Sequence, residues 1–180
     1  PHICEAAVAA MANGETRYTA IGGTPALKDA IAGKFERDNG LTFDHDQIMA
    51  GAGAKQLLFN AFMAVLNPGD EVVLPTPCWL SYFDMVRIAA GVPVGIPSTL
   101  EAGFKVTPDQ LRAAISDRTR FVVLNSPSNP SGAVYDAQEL GALLDVIAEH
   151  PQVWVMADDV YEPIRFAAGD FATPANVRPA

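Results

Sequence analysis

The stretch QIMAGAGAKQLLFNAFMAVLNPGDEVVL, residues 47–74, decides the fold class. It holds a short apolar run from Gln47 to Ala52, a small-residue turn around Gly51 and Gly53, a helix-period segment, and a second apolar run from Glu71 to Leu74. From Ala54 to Leu66, residues Leu57, Leu58, Ala61, Phe62, Val65 and Leu66 fall at the spacing of one helix face. Asn67-Pro68-Gly69 then stops the helix. Strand, helix and strand in that order make a βαβ unit, whose two strands lie parallel.

Outward from this unit the alternation continues. Val92 to Ile96, Arg120 to Leu124 and Val153 to Ala157 bring the candidate strands to five, all rich in Val, Ile, Leu or Met. Strands of that composition are expected to be buried on both faces. Helices are predicted between them. Pro25 to Asp38 starts on Thr24 as N-cap with Pro25 at the first helical position, and carries a core stripe of Leu27, Ile31 and Phe35. Ala137 to Glu149 is capped by Asp136 with Glu139 three residues on, and buries Leu140, Leu143, Leu144 and Ile147. Cys78 to Ala90 and Pro108 to Ile115 read as helices too. The expected class is α/β: a mainly parallel sheet flanked by helices, in one domain or part of one.

Composition removes several functions. With 180 residues and 49% apolar content, the chain can bury a real core. Its net charge of -9 argues against a nucleic-acid or anionic-membrane surface, so a bound anion must be held locally. Cys4 and Cys78 lie far apart and read as reduced thiols; with His2, His45 and His150 scattered as well, no metal site is expected. The apolar runs fall short of a membrane span and the amino end lacks a signal-like segment, so a soluble, cytoplasmic protein is expected. Pro1 at the start and the Pro174 to Ala180 stretch at the close both read as cuts in a longer chain.

In an open parallel sheet, ligands bind beyond the carboxyl ends of the strands, so the residues that follow each apolar run carry the chemistry. After the first run, Gly53-Ala54-Lys55 opens a helix whose free N–H groups and positive dipole end suit a phosphate; a plain turn needing glycine is the competing reading. Lys55 is not followed by Ser or Thr, which excludes a Walker loop, and Gln56 stands where a dinucleotide fingerprint needs its third Gly or Ala. The second run leads to Trp79, whose indole can stack on a planar ring or simply pack in the core. The fourth leads to Asn125-Ser126-Pro127-Ser128-Asn129-Pro130-Ser131-Gly132, which presents the Asn129 amide or is merely an Asn-Pro turn. The fifth ends in Asp158-Asp159-Val160-Tyr161. Acids there are costly unless paired, and a cationic ring nitrogen would pair with one; strand alternation alone does not say whether Asp158 or Asp159 matters.

Together, residues 18–27 (Tyr18 to Leu27), Gly53-Ala54-Lys55-Gln56, Pro75-Thr76-Pro77-Cys78-Trp79-Leu80-Ser81-Tyr82, Asn129-Pro130-Ser131-Gly132 and Asp158-Asp159-Val160-Tyr161 resemble the class I aminotransferases, in order and at the family's separations. The similarity covers essentially the whole chain and is strongest to the bacterial aspartate aminotransferase-like branch. It implies part of the large domain of the fold type I architecture and pyridoxal 5'-phosphate as cofactor. By the resemblance, Gly53, Ala54 and Lys55 hold the phosphate, and Trp79 stacks on the pyridine ring. Asn129 and Tyr161 hydrogen-bond the phenolic oxygen, and Asp158 pairs with the ring nitrogen. Asp158 and Tyr161 would thus tune the catalytic electronics. Tyr18 would reach the phosphate of a neighbouring subunit in a homodimer, and Trp79 and Asn129 would border the substrate carboxylate. Amino acids and 2-oxo acids are the implied substrates.

The family's covalent lysine lies after the Asp-x-x-Tyr segment in a Ser-x-x-Lys context, and Lys28, Lys34, Lys55 and Lys105 do not match it. Lys28 and Lys34 read as surface lysines of one helix, and Lys105 as a loop residue. The small carboxyl-terminal domain and an amino-terminal segment are expected to be absent, leaving a chain inactive in transamination by itself. Three rivals stand beside this reading: a lyase or synthase of the same cofactor class, the non-catalytic aminotransferase-like sensor of a regulator, and a plain nucleotide-binding module that the failed fingerprints disfavour.

Overall fold

The computed structural model describes residues 1–166 and 169–179, so Ala180, the last residue of the closing stretch, lies outside it. Seven α-helices are described: α1 (His2–Ala12), α2 (Pro25–Asn39), α3 (Ala54–Val65), α4 (Ser81–Ile88), α5 (Pro108–Ala114), α6 (Ala137–Ala148) and α7 (Pro174–Val177). The strands are β1 (Glu71–Thr76), β2 (Val92–Pro97), β3 (Thr119–Asn125) and β4 (Trp154–Asp158), and short 3-10 turns lie at His45–Gln47 and Glu162–Ile164.

All strand pairings are parallel, in the spatial order β2-β1-β3-β4. Alternation divides the apolar residues between the two faces. Val72, Leu74, Phe121, Val123 and Met156 pack with Leu58 and Phe62 of α3 and with Tyr82, Met85 and Val86 of α4. Val73, Val122 and Leu124 pack on the opposite side against Leu111 of α5 and Leu140, Leu143, Leu144 and Ile147 of α6. The chain passes from β1 outward to β2 and then returns to the other side of β1 for β3. Strand order therefore reverses between β1 and β3, and a crevice opens beyond their carboxyl ends.

The predicted caps form. Thr24 accepts from the Leu27 N–H, and Asp136 and Glu139 close a reciprocal box. The predicted strand from Gln47 to Ala52 does not. Ile48 has extended backbone, at φ -114° and ψ 127°, but the segment pairs with no strand among the described residues. An apolar run becomes a strand only where a neighbour completes its hydrogen-bond ladder. The Leu27, Ile31 and Phe35 stripe of α2 is likewise only partly covered, with Leu27 exposed, because α2 packs on the His45–Gln47 turn rather than on the sheet. Burial on both faces holds for β1 and β3, whereas the edge strands β2 and β4 leave Val92 and Trp154 exposed. Helix α4 begins at Ser81, three residues later than the pattern from Cys78 suggested.

At the opposite end of the sheet, Glu71 is buried and accepts from the Ser116 hydroxyl at 2.5 Å and from the Arg118 guanidinium. Burial alone would raise its carboxyl, and these donors outweigh that effect and hold it below the usual range.

Phe62 is fully buried and meets the Phe121 ring edge-on at 5.6 Å, tying α3 to the sheet. Phe62→Ala should therefore lower unfolding free energy by about 3–5 kcal/mol, read from the shift of a urea denaturation midpoint.

Candidate active site

Asn125 and Asp158 are register partners at the last rung of the β3–β4 ladder, so both project at the carboxyl rim of the sheet. Asp158 is 8% exposed. Its Oδ2 accepts from the Tyr82 hydroxyl at 2.5 Å, and its Oδ1 faces the Val160 N–H at 3.4 Å. Asn125 donates from Nδ2 to the Asp158 carbonyl at 2.7 Å and accepts from the Asn129 N–H at 2.8 Å. One side chain thus joins the end of β4 to the loop after β3. The Asn129 amide reaches the Tyr161 hydroxyl at 3.3 Å.

The loop after β1 completes the other side. Trp79 meets Tyr82 edge-on at 5.4 Å, and Lys55 Nζ lies 4.8 Å above the indole. Lys55 is the second residue of α3, whose start carries no side-chain cap. Gly53 precedes it at φ 95°, a left-handed conformation that favours glycine, and a Cβ there would meet no atom within 4 Å. Backbone conformation, not crowding by the protein, sets the residue type at this turn. The open α3 start presents N–H groups and a positive dipole end with a cation beside them, which is the chemistry of an anion site.

Contacts therefore run without a break from Lys55 through Trp79, Tyr82, Asp158 and Asn125 to Asn129 and Tyr161. Ala54 and Asp158 also border one cavity of about 510 Å³ between α3 and the edge of β4. Tyr18 stands apart from this group, fully exposed. Asp158 and Asp159, which the pattern could not separate, take different positions. Asp159 turns away from the rim and accepts from the Thr173 hydroxyl at 2.6 Å.

Tyr82 and Asn125 are the members that sequence reasoning missed. Each had a signal: Tyr82 lies three residues after Trp79, on the same side of a helical turn, and Asn125 is the first polar residue after the β3 run. Lys34, read as a surface lysine, instead turns onto Glu162 and Asn39.

Burial, with the hydrogen bond to Asp158 added to it, pushes the Tyr82 hydroxyl upward, so it stays protonated and donates. Burial pushes the Cys78 thiol up to about 11, which keeps it from acting as a nucleophile at neutral pH. Burial also raises the Asp159 carboxyl to about 6; the Thr173 hydroxyl opposes that rise and Glu162 and Asp158 add to it.

Two stability measurements follow. Tyr82→Phe keeps the ring but strips a donor from a buried carboxylate, and should cost about 1–3 kcal/mol by urea denaturation at pH 7. The Asp159 shift has the opposite character. A carboxyl whose folded value lies above its unfolded value destabilises the native state once it ionises, and the penalty is complete above about 6 and gone below the unfolded value of 3.8. Asp159→Asn should accordingly be more stable than the unmodified chain at pH 7 and lose that advantage as pH falls through 6 towards 4.

The arrangement has close counterparts. A family model described as aminotransferase class I and II matches residues 1–180. An aspartate/prephenate aminotransferase of Cereibacter sphaeroides is 53% identical over 178 residues, which are 99% of this chain and 44% of that protein. The crystal structure of the aspartate aminotransferase from Rhizobium meliloti superposes with a TM-score of 0.97 at 53% identity, covering 99% of this chain and 44% of the other. The Thermus thermophilus aspartate aminotransferase with maleate gives 0.94 at 43% identity, covering 99% and 46%. This chain therefore spans less than half the length of these relatives, and along its own length it belongs to the class I and II aminotransferase family.

Proposed function

We propose that this chain is the cofactor-holding portion of an aminotransferase, in which pyridoxal 5'-phosphate sits across the carboxyl rim of the sheet and an amino group passes between an amino acid and a 2-oxo acid. The observation that carries this reading is the setting of Asp158. It is a buried carboxylate at the tip of β4, and its close partners are a neutral hydroxyl and a peptide N–H. Among the described residues it has no ion-pair partner. A buried anion without a cation is costly, and a protonated ring nitrogen removes that cost.

The residues around Asp158 fit the rest of such a molecule. The N–H groups at the start of α3, with Gly53, Ala54 and Lys55, suit its phosphate. Trp79 offers a flat face for its ring, and the Asn129 amide and Tyr161 hydroxyl are a donor pair for a phenolic oxygen. Bound there, pyridoxal phosphate supplies a protonated ring that takes up the electron pair released when the substrate's α-proton leaves. Asp158 keeps the ring nitrogen protonated, while Tyr82 and Asn125 keep Asp158 at the rim. Trp79 and Asn129 border the substrate carboxylate. Relatives named for aspartate and prephenate favour an acidic amino donor.

No lysine of this chain is placed for the covalent link. Lys28 donates to the His45 carbonyl, Lys34 and Lys105 engage Glu162 and Glu139, and Lys55 lies over Trp79 at the phosphate end. These residues form part of a large domain, and the covalent lysine with a smaller domain belongs to other parts of the protein. A cytoplasmic homodimer with shared sites is the assembly we favour. Tyr18, Ile21 and the apolar side chains Ile3, Val8 and Met11 of α1 are all exposed, as surfaces meeting a second subunit are before assembly.

Titration of these 180 residues with pyridoxal phosphate should give saturable binding, and Asp158→Asn should weaken it about tenfold or more. Borohydride reduction and tryptic mass analysis should give no stoichiometric adduct on Lys55, and transamination by the chain alone should be undetectable. An adduct on Lys55, or undiminished affinity in Asp158→Asn, would overturn the reading.

A further inference from the structure

We propose that Lys34, Asn39, Asp159, Glu162 and Thr173 form a clip whose task is to position the Tyr161 hydroxyl for the cofactor's phenolic oxygen; this rests on the site assignment above and adds to it. Tyr161 lies in the short connection after β4, and its hydroxyl has only the long 3.3 Å contact with Asn129 to orient it. Its two sides are held far more firmly than the side chain itself. Upstream, Asp158 is bonded by Tyr82 and Asn125, and Asp159 takes the Thr173 hydroxyl at 2.6 Å. Downstream, Glu162 accepts from Asn39 Nδ2 at 2.8 Å on one oxygen and from Lys34 Nζ on the other.

Lys34 also donates to Asn39 Oδ1 at 2.8 Å, so lysine, amide and carboxylate close a triangle that fixes all three. The turn between the clamps is closed by its own backbone: Glu162 N–H bonds the Asp159 carbonyl at 2.9 Å, and Ile164 N–H bonds the Tyr161 carbonyl at 3.0 Å. Tyr161 thus occupies the middle of a loop pinned on both flanks. Lys34 and Asn39 come from α2, 128 and 123 residues away in sequence from Glu162, so a helix with no other part in the site sets the angle at which the Tyr161 ring enters it. The triangle is half-buried, where charged hydrogen bonds hold direction better than exposed ion pairs do.

A plain fastening of α2 to the sheet would use the same contacts. The two roles differ in one respect: a positioning clip acts through Tyr161, so its loss has no further effect once the hydroxyl is gone.

The experiment uses the full-length protein carrying these residues, with pyridoxal phosphate as probe. It reads the pH titration of the bound cofactor's visible band, together with amide exchange over residues 158–164 in the cofactor-free protein. A donor on the phenolic oxygen favours its ionised form, so Tyr161→Phe raises the titration midpoint. Glu162→Gln and Lys34→Met should raise it in the same direction, roughly half as far, and speed exchange over 158–164. Lys34→Arg should restore the midpoint, and Glu162→Gln with Tyr161→Phe should stay at the value of Tyr161→Phe alone. If Glu162→Gln fails to fold, Lys34→Met carries the same prediction. An unmoved midpoint in both clip variants, or additive shifts in the double variant, overturns the clip and leaves the site assignment standing. Absence of cofactor binding by the unmodified protein, or no shift in Tyr161→Phe, overturns the assignment and the clip with it.

Discussion

The register of β4 on β3 is the constraint on which the site depends. It sets Asn125 opposite Asp158 at the final rung, and from there one amide reaches the carbonyl of one strand end and the first turn beyond the other. A slip by one residue would send every side chain of β4 to the opposite face. Met156 would leave the core that it shares with Val123 and Tyr82, and Asp158 would leave the rim. Apolar packing on both faces of β3 therefore fixes the position of the charged group, and the chemistry inherits its precision from the core.

That coupling explains why the carboxylate is held by neutral partners. A cation of the protein's own would settle Asp158 permanently and leave nothing for a ligand to gain. Tyr82, kept protonated by burial and by Asp158 itself, supplies one strong hydrogen bond without a charge. The remaining electrostatic demand is unmet by the chain, and it selects for a ligand with a positive edge. Asp159, one residue on, shows the contrast. Its hydroxyl partner and neighbouring acids give it a structural, pH-sensitive place rather than a ligand-facing one.

Much of this was legible in the residues, and the limits have physical causes. The β1, β3, α3 and α6 segments carry enough apolar residues at one period to specify their state without help, and the structure places them within a residue or two of the expected bounds. Gln47 to Ala52 has strand composition but no neighbour among the described residues, and composition cannot announce a missing partner. The stripe on α2 failed for a related reason: periodicity says that a face is apolar, not that something covers it. Helix α1 was not anticipated because nothing in it is buried and no cap marks its start. Site residues at strand tips were readable because a parallel sheet collects them at one rim. Tyr82, Asn125 and Lys34 act by supporting those residues, and their partners lie 33 to 128 positions away in sequence, where local pattern carries no information.

Net charge makes the same point from the electrostatic side. A chain at -9 repels anions on average, yet its proposed ligand carries a phosphate. Attraction must then be local, and the start of α3 provides it through dipole, exposed N–H groups and Lys55 within one turn. The indole beneath Lys55 contributes as well, since a cation above an aromatic face is held in place without being neutralised, as a carboxylate would neutralise it. The negative Asp158 and the positive α3 start stand at opposite ends of one contact chain, with Trp79 and Tyr82 between them. A slot charged in this way sets the direction in which a flat molecule with an anionic tail and a cationic edge can lie.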